Sequence, residues 1–285
     1  MLVSFSYRPR HSFIERFDPR ARWIMSLALL FSIVLFWDIR FLSFFFLLSI
    51  SQVFLARLTW QETRRAWLFI LVLSTMMILV NTIITGGGTI GGVISGGETL
   101  LQFQIKIPLT GWIIHYVLTR ERVWFALAQF LRIISIGSLF LVIPFTMDPR
   151  KYGVTFRGIG LPDKLAFTMD LAFRFIPTLA RDFQITLDAQ RARGYEVEKI
   201  EGNLFTRIRR MAPLFVPVTM NAILAGEDIT NAMDLRCFGL KKRTWVESLK
   251  YQGMDYVMIG VSVVILVGSL LLRFVFNKGD FWFPV

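Results

Sequence analysis

The feature that constrains this chain most is a series of long apolar runs that carry almost no charge. The five longest occupy residues 23–37, 41–56, 67–84, 123–145 and 256–276. Runs near or above about 18 residues with few charges are typical of bilayer-spanning helices. Soluble domains contain about 45–50% apolar and about 25% charged residues, against 54% and 18% here. The runs therefore predict an all-α integral membrane protein with about five transmembrane helices.

The distribution of positive charge predicts how these spans are oriented. With five spans, 25 of the 32 Lys and Arg residues fall on one side, in residues 1–22, 57–66 and 148–251, and five fall on the other. Cytoplasmic loops collect Lys and Arg. We therefore expect a cytoplasmic N-terminus and an external C-terminus, and we attribute the net charge of +12 to topology and not to nucleic-acid binding.

Charge and hydropathy together divide the chain into five parts. They are a cytoplasmic N-terminus (1–22), a transmembrane domain (23–147), a cytoplasmic domain (148–251), a final transmembrane helix (252–276) and an external tail (277–285). The transmembrane domain contains about four spans and an external Gly-rich connector (86–122). Its glycines are not followed by the Lys-Ser/Thr pair of a phosphate-binding loop, so we expect flexible turns around a short hairpin through residues 100–109.

Two features of the membrane region leave alternatives open. The first two runs have about 15 and 16 apolar residues, less than the ~30 Å core requires at ~1.5 Å per residue, so residues 23–56 form either two spans or a shallow hairpin. Flanking Trp23, Trp37 and Trp60 would extend these helices into the interface. Arg132 lies inside the fourth run, where it is either functional or a side chain that reaches the outer interface.

The cytoplasmic domain is predicted to contain two long amphipathic helices. In the first, apolar residues recur at steps of three and four from Pro162 to Arg193. Pro177 should kink this helix, and Gly194 is expected to be its left-handed cap.

The second helix is expected to begin near Met211, to contain Pro217 as a kink and to end with Gly239 as the stop. Three small residues along it leave a smooth face on which another helix could pack closely. They are Ala222, Ala225 and Gly226.

Both helices end in the same short pattern, 43 positions apart. Residues 189–195 read Ala-Gln-Arg-Ala-Arg-Gly-Tyr and residues 232–238 read Ala-Met-Asp-Leu-Arg-Cys-Phe. A cation in the last turn of one helix is explained by the helix dipole, worth about 0.3–1 kcal/mol. That explanation does not account for two copies that match at the Ala, the Arg and the aromatic residue. We therefore interpret Arg193 and Arg236 as paired docking tips for a partner, with Arg191 as a supporting charge.

Nothing in the sequence indicates catalysis, a metal site or a cofactor in this chain. There is no P-loop and no His-Glu-x-x-His motif. The single cysteine, Cys237, excludes an internal disulfide, and His11 and His115 lack ligand spacing.

A membrane-embedded enzyme at the cytoplasmic face is one alternative function. Its only candidate catalytic residues would be scattered carboxylates: Asp182, Asp188, Glu227, Asp228 and Asp234. A stand-alone channel or secondary transporter is another, but no internal membrane repeat supports it.

At four places the chain resembles the transmembrane T component of energy-coupling factor (ECF) transporters, the EcfT/CbiQ family. The resemblance begins with Asp18-Pro19-Arg20 before the first span and continues with Phe173-Arg174-Phe175-Ile176-Pro177. It then includes the Ala-Gln-Arg-Ala-Arg-Gly run at 189–194, and it closes with Ala232-Met233 and Arg236.

The resemblance implies a scaffold subunit of an ABC-type importer in a prokaryotic cell membrane, taking up a vitamin or a transition-metal ion. Two crossing coupling helices would insert their ends into two ABC-type ATPase subunits, a homo- or heterodimer. The docking triplets would be Ala192-Arg193-Gly194 and Leu235-Arg236-Cys237. ATP and Mg would be bound by those partners, and a small substrate-binding membrane subunit would pack on the spans and helix faces. The second triplet departs from the pattern, since Leu and Cys stand where Ala and Gly are common.

Overall fold

Eight α-helices and one β-hairpin form the part of the chain that the computed structural model describes, which is residues 10, 12–84, 99–106, 113–195, 204–240, 249–277 and 279. In chain order the elements are α1 (Pro19–Leu35), α2 (Ile39–Leu55), α3 (Trp60–Ile84), β1 (Thr99–Lys106), β2 (Ile113–Thr119), α4 (Arg120–Thr146), α5 (Tyr152–Ile159), α6 (Asp163–Ala192), α7 (Leu204–Leu235) and α8 (Gly253–Phe274).

The chain is a multi-pass, predominantly helical membrane protein, as its apolar runs predict. Within the described ranges, three helices are long and apolar enough to cross a bilayer: α3 at Trp60–Val80, α4 at Val123–Thr146 and α8 at Gly253–Phe274. α2 is apolar but shorter. The chain divides into two compact units, one of which includes Asp148–Leu249, while the other includes Tyr7–Met147 and Lys250–Val285. We call the first the helical unit and the second the membrane unit.

α1 lies antiparallel to α4 in the membrane unit. At one end Arg22 donates to the carbonyl of Thr146 (3.0 Å), and at the other Arg132 donates to the carbonyl of Phe36, the C-cap residue of α1. Arg22 and Phe36 are 14 residues apart, about 21 Å of helix. α1 is therefore shorter than the ~30 Å hydrocarbon core. Trp37 extends it, because its ring stacks on Phe125 near the Arg120 end of α4 (centroids 5.5 Å apart).

Arg132 has a structural role that neither alternative from the sequence included. Its guanidinium satisfies a carbonyl at the end of α1 and lies over the Trp37 ring, 3.8 Å from the centroid. A helix that ends in an apolar setting leaves carbonyls without an intrahelical donor. Arg132 supplies one such donor. The backbone N–H of Trp37, in the same turn, donates to the carbonyl of Gly279 (2.9 Å). The turn between α1 and α2 is thus fixed from two directions.

Asp255 joins the first residues of α8 to those of α1. Its carboxylate is 1% exposed and accepts the backbone N–H groups of Asp18 (2.8 Å) and Gln252 (2.7 Å). Asp18 in turn caps α1 and binds the guanidinium of Arg20 through both oxygens. This hydrogen bond to Asp18 raises the pKa of Arg20 above its ordinary value, and the same guanidinium lies over the Tyr251 ring. The Asp-Pro-Arg opening thus fixes where α1 starts relative to α8.

The connector between α3 and α4 contains a hairpin that is longer than expected. β1 and β2 pair antiparallel, with Phe103 opposite Tyr116 and Lys106 opposite Ile113. The sequence predicts a short hairpin through residues 100–109. Strand pairing extends beyond that range because a second strand follows at Ile113–Thr119. The glycines of the connector, residues 86–97, lie outside the described residues.

In the helical unit, α5 packs closely on α6. The Tyr152 and Phe173 rings stack with centroids 5.0 Å apart. A Cβ on Gly153 would lie 2.6 Å from the carbonyl oxygen of Ala166, so no larger residue fits at this approach. The aromatic part of the Phe-Arg-Phe-Ile-Pro motif therefore holds α5 in place, whereas Arg174 is exposed.

Two sequence-based boundaries of α7 are wrong. The helix begins at Leu204 and not near Met211, so Pro213 and Pro217 both lie in its interior. The stop is also two residues earlier than expected: Cys237 has the left-handed conformation that ends the helix (φ 55°), and Gly239 (φ 92°) belongs to the following turn.

Candidate functional site

α6 and α7, which carry the two matched ends, pack against each other in opposite directions. Three contacts define this arrangement. Phe167 near the start of α6 meets Phe238 after the end of α7 (ring centroids 4.7 Å), and Phe183 meets Phe215 (6.2 Å). Near the other end, the Gln190 side chain reaches the carbonyl of Pro213 (3.4 Å). The order of these contacts along the two helices shows that they are antiparallel.

This arrangement places Arg193 and Arg236 at opposite ends of the helix pair. Phe238 adjoins Arg236 and packs on Phe167, whereas Arg193 lies 26 residues further along α6. At ~1.5 Å per residue the two cations are about 40 Å apart. The site is therefore two separate contacts and not one cluster.

The first end closes with a Schellman motif. The N–H of Tyr195 donates to the carbonyl of Gln190 (3.0 Å) and the N–H of Gly194 to that of Arg191 (2.9 Å). This 6→1 and 5→2 pairing requires a left-handed residue at the turn, and Gly194 has φ 83°. Arg193 is the C-cap residue and its side chain is exposed. The left-handed cap expected at Gly194 is confirmed.

The second end repeats the same motif residue for residue. Phe238 donates to the carbonyl of Met233 (3.0 Å) and Cys237 to that of Asp234 (2.9 Å). Arg236 follows the last helical residue and is exposed, like Arg193. The repeated Ala, Arg, small and aromatic residues therefore occupy the same four positions of one capping motif, and the two Arg residues share one backbone geometry.

The two ends differ at the left-handed position. A residue with a Cβ loses about 1–2 kcal/mol in this conformation, whereas Gly does not. Cys237 adopts it with φ 55°. The second end is thus strained where the first is not.

We predict that Cys237→Gly stabilises the end of α7 by about 0.5–1 kcal/mol, because Gly removes the strain but enlarges the unfolded ensemble. Amide hydrogen exchange at Phe238, whose N–H is held by the cap, measures the effect. Cys237→Ala is the matched control, since it removes the thiol and keeps the Cβ. Equal exchange rates in the Gly and Ala variants would contradict the strain argument.

The remaining predicted residues are distributed along the same two helices. Arg191 is exposed and pairs with Asp188 (3.6 Å), so its charge is partly balanced within α6. Pro177 and Pro217 both lie inside continuous helices. Ala222 and Ala225 are half-buried. Gly226 is exposed, and a Cβ there would meet nothing within 4 Å.

Sequence reasoning missed Gln190 and the role of the two aromatic residues. The repeat's closing aromatic is the residue whose N–H completes each Schellman motif, a position that commonly carries an apolar contact. The 43-residue spacing could have identified that role. Within the described residues, no group of three His, Cys, Asp or Glu side chains has the arrangement of a metal site.

Comparison with known proteins relates this chain to one family of transport proteins. The family model described as CbiQ, cobalt transport protein, matches residues 10–246. The energy-coupling factor transporter transmembrane protein EcfT of Clostridium kluyveri is 30% identical over 283 residues, which cover 95% of this chain and 97% of that protein. EcfT of Thermotoga maritima is 27% identical, with 96% of each chain covered. A putative ABC transporter ATP-binding protein of Bifidobacterium longum is 26% identical over 92% of this chain and 32% of its own length.

Proposed function

Because this chain belongs to the CbiQ family and is the transmembrane component of an energy-coupling factor transporter, we propose that its two Arg-tipped helix ends dock two cytoplasmic ABC-type ATPase subunits. The observation that carries this proposal is the pair of caps with the same hydrogen-bond pattern, about 40 Å apart by helix length, each presenting an exposed arginine. ATP-driven motion of the two ATPases would move the two ends, and α6 and α7 would pass that motion to a substrate-binding membrane subunit. The imported compound would be a vitamin or a transition-metal ion.

Arginine suits such a contact because its charge persists and its geometry is fixed. The planar guanidinium binds carboxylates bidentately and does not lose its proton at any physiological pH. The Schellman motif adds direction, since it ends the helix abruptly and leaves the C-cap side chain outside the helix. The triplets Ala192-Arg193-Gly194 and Leu235-Arg236-Cys237 are the proposed contacts, with Arg191 beside the first.

The ATPase partners are supported by the comparison as well as by the exposed ends. A relative whose name describes an ABC ATP-binding protein contains a region similar to nearly all of this chain. One polypeptide thus combines both parts, as expected if they work in contact. We propose that this chain is the non-catalytic subunit and that ATP and Mg are bound by two separate ATPases, identical or different. The helical unit and the N-terminus would then face the cytoplasm, and the C-terminus would be external.

The smooth face of α7 is the proposed packing surface for the substrate-binding subunit. Ala222, Ala225 and Gly226 lie on it at steps of three and four, and Ile223, about half exposed, lies beside Gly226. Small residues permit close approach of another helix. An apolar surface of this kind would be covered by a membrane partner.

We predict that Gly226→Leu lowers retention of the substrate-binding subunit while leaving the fold of this chain unchanged. A Cβ at position 226 would meet nothing within 4 Å, so we expect the substitution to disturb a partner and not the packing of this chain. Asn221→Leu is the matched control, because position 221 is exposed and lies about 140° around the helix. Equal retention in the two variants would place the partner elsewhere.

The proposed function is tested by co-expressing this chain with the ATPases and the small membrane protein of its own transport system. We expect purification through a tag on this chain to retain two ATPase copies per chain. Proteoliposomes containing the whole assembly should accumulate substrate only with ATP. Purification of a single chain that transports substrate without ATPases would overturn the proposal.

A further inference from the structure

Gln190 connects the Arg193 cap to α7 at a point where α7 lacks a hydrogen bond of its own. In an α-helix the carbonyl of one residue accepts the N–H of the residue four positions later. The residue four positions after Pro213 is Pro217, which has no N–H. The Pro213 carbonyl therefore lacks its i+4 donor, and the side-chain amide of Gln190 donates to it at 3.4 Å.

The backbone of the same residue holds the first docking end. The Gln190 carbonyl accepts the N–H groups of Arg193 (3.1 Å) and Tyr195 (3.0 Å). One residue thus binds the cap through its main chain and the open turn of α7 through its side chain. Displacement of the Arg193 backbone would therefore act directly on Gln190.

We propose that Gln190 is a positioning residue that latches the end of α6 to the Pro213–Pro217 turn of α7, so that movement of the first docking end is transmitted to α7. The inference rests on the proposed function for its consequence in transport, but the latch itself is a property of this chain alone. Phe183 and Phe215 pack nearby on the same two helices, and the latch adds a polar, directional contact at the end of that apolar one.

Two substitutions remove the amide donor with opposite side effects. Gln190→Met keeps the length and adds an apolar surface beside Tyr195, whereas Gln190→Glu keeps the shape and adds a negative charge near the helix end. An effect on exchange that both variants share is therefore due to the loss of the Gln190 side-chain N–H donor. Gln184→Met is the matched control, because the Gln184 amide bonds Asp188 within α6 and does not reach α7.

The first readout is amide hydrogen exchange at residues 193–195 of the purified chain without ATPases. Loss of a long, solvent-exposed hydrogen bond of this kind corresponds to a factor of about two in the opening equilibrium. We expect both Gln190 variants to exchange about twofold faster at these amides and Gln184→Met to exchange like the wild type. Pro217→Ala restores the i+4 N–H for the Pro213 carbonyl, so this carbonyl no longer needs the Gln190 amide. In the Pro217→Ala background, Gln190→Met should therefore increase the exchange rate much less.

The second readout is substrate transported per ATP hydrolysed by the complete complex. We expect the Gln190 variants to retain both ATPases and to transport less substrate per ATP hydrolysed than the wild type. Unchanged exchange in both variants, or the same increase with and without Pro217→Ala, would overturn the latch. Loss of the ATPases from the Gln190 variants would overturn its separate positioning role. If the proposed function is wrong, the wild-type chain will retain no ATPase. The hydrogen-exchange result would not change in that case, because it is measured on this chain alone.

Discussion

Arg193→Glu is expected to abolish ATP-driven uptake while the protein still folds and inserts. Arg193 is an exposed C-cap side chain outside the last turn of α6, so its replacement leaves the Schellman motif intact. In the complex the same side chain would be desolvated against an acidic group of the ATPase. Removing one partner of such a buried pair costs about 2–5 kcal/mol, which weakens binding from about 30-fold to several thousand-fold.

The measurement is retention of the ATPases during purification, together with uptake in proteoliposomes. Arg236→Glu should act in the same way at the other end, and the double variant should retain no ATPase. Arg181→Glu is the matched control, since it makes the same charge change on an exposed position in the middle of α6. Normal co-purification and transport by the double variant would show that the docking assignment is wrong.

Asp255→Ala is expected to destabilise the membrane unit by about 3–6 kcal/mol. The buried carboxylate accepts the N–H groups of Asp18 and Gln252, and each hydrogen bond to a charged acceptor contributes about 1.5–3 kcal/mol. Alanine removes both acceptors and leaves two N–H groups without partners at the start of α1 and α8. The melting temperature of the purified protein in detergent measures the loss.

The conservative variant separates this contact from general packing. Asp255→Asn keeps the volume and one carbonyl oxygen, so about half of the loss should remain. Asp234→Ala is the surface control, because Asp234 is exposed in the last turn of α7 and its substitution should change the melting temperature little. An Asp255→Ala protein that melts with the wild type would show that the α1–α8 junction does not depend on the carboxylate.

That each copy of the repeat ends a helix could be predicted from the sequence because capping is local. All hydrogen bonds of the two Schellman motifs join residues within five positions, so the pattern of Arg, small residue and aromatic residue contains the whole motif. Periodicity likewise predicted α6 up to its cap, since apolar side chains at steps of three and four define a helix face.

The features that sequence reasoning missed depend on distant partners. Asp255 meets Asp18 across 237 positions, and Arg132 meets Phe36 across 96. Neither pair has a spacing that a pattern could reveal. The start of α7, expected near Met211, lies at Leu204, so the helix continues through Pro213 and Pro217. An interior proline is tolerated where a neighbour satisfies the carbonyl that it frees, as Gln190 does for the Pro213 carbonyl that Pro217 frees.

The antiparallel pairing of α6 and α7 gives this helix pair an approximate two-fold symmetry. Two helices that run in opposite directions and end in the same cap are related by an axis perpendicular to the pair. Dimers of like subunits are usually two-fold symmetric, and a pair of ATPases closing on each other would move about such an axis. Each ATPase would then contact the same backbone geometry, although both contacts belong to a single chain. The strained Cys237 and the Gln190 contact occur at only one end each, so the symmetry is broken in a defined way, and the two ATPases need not respond equally.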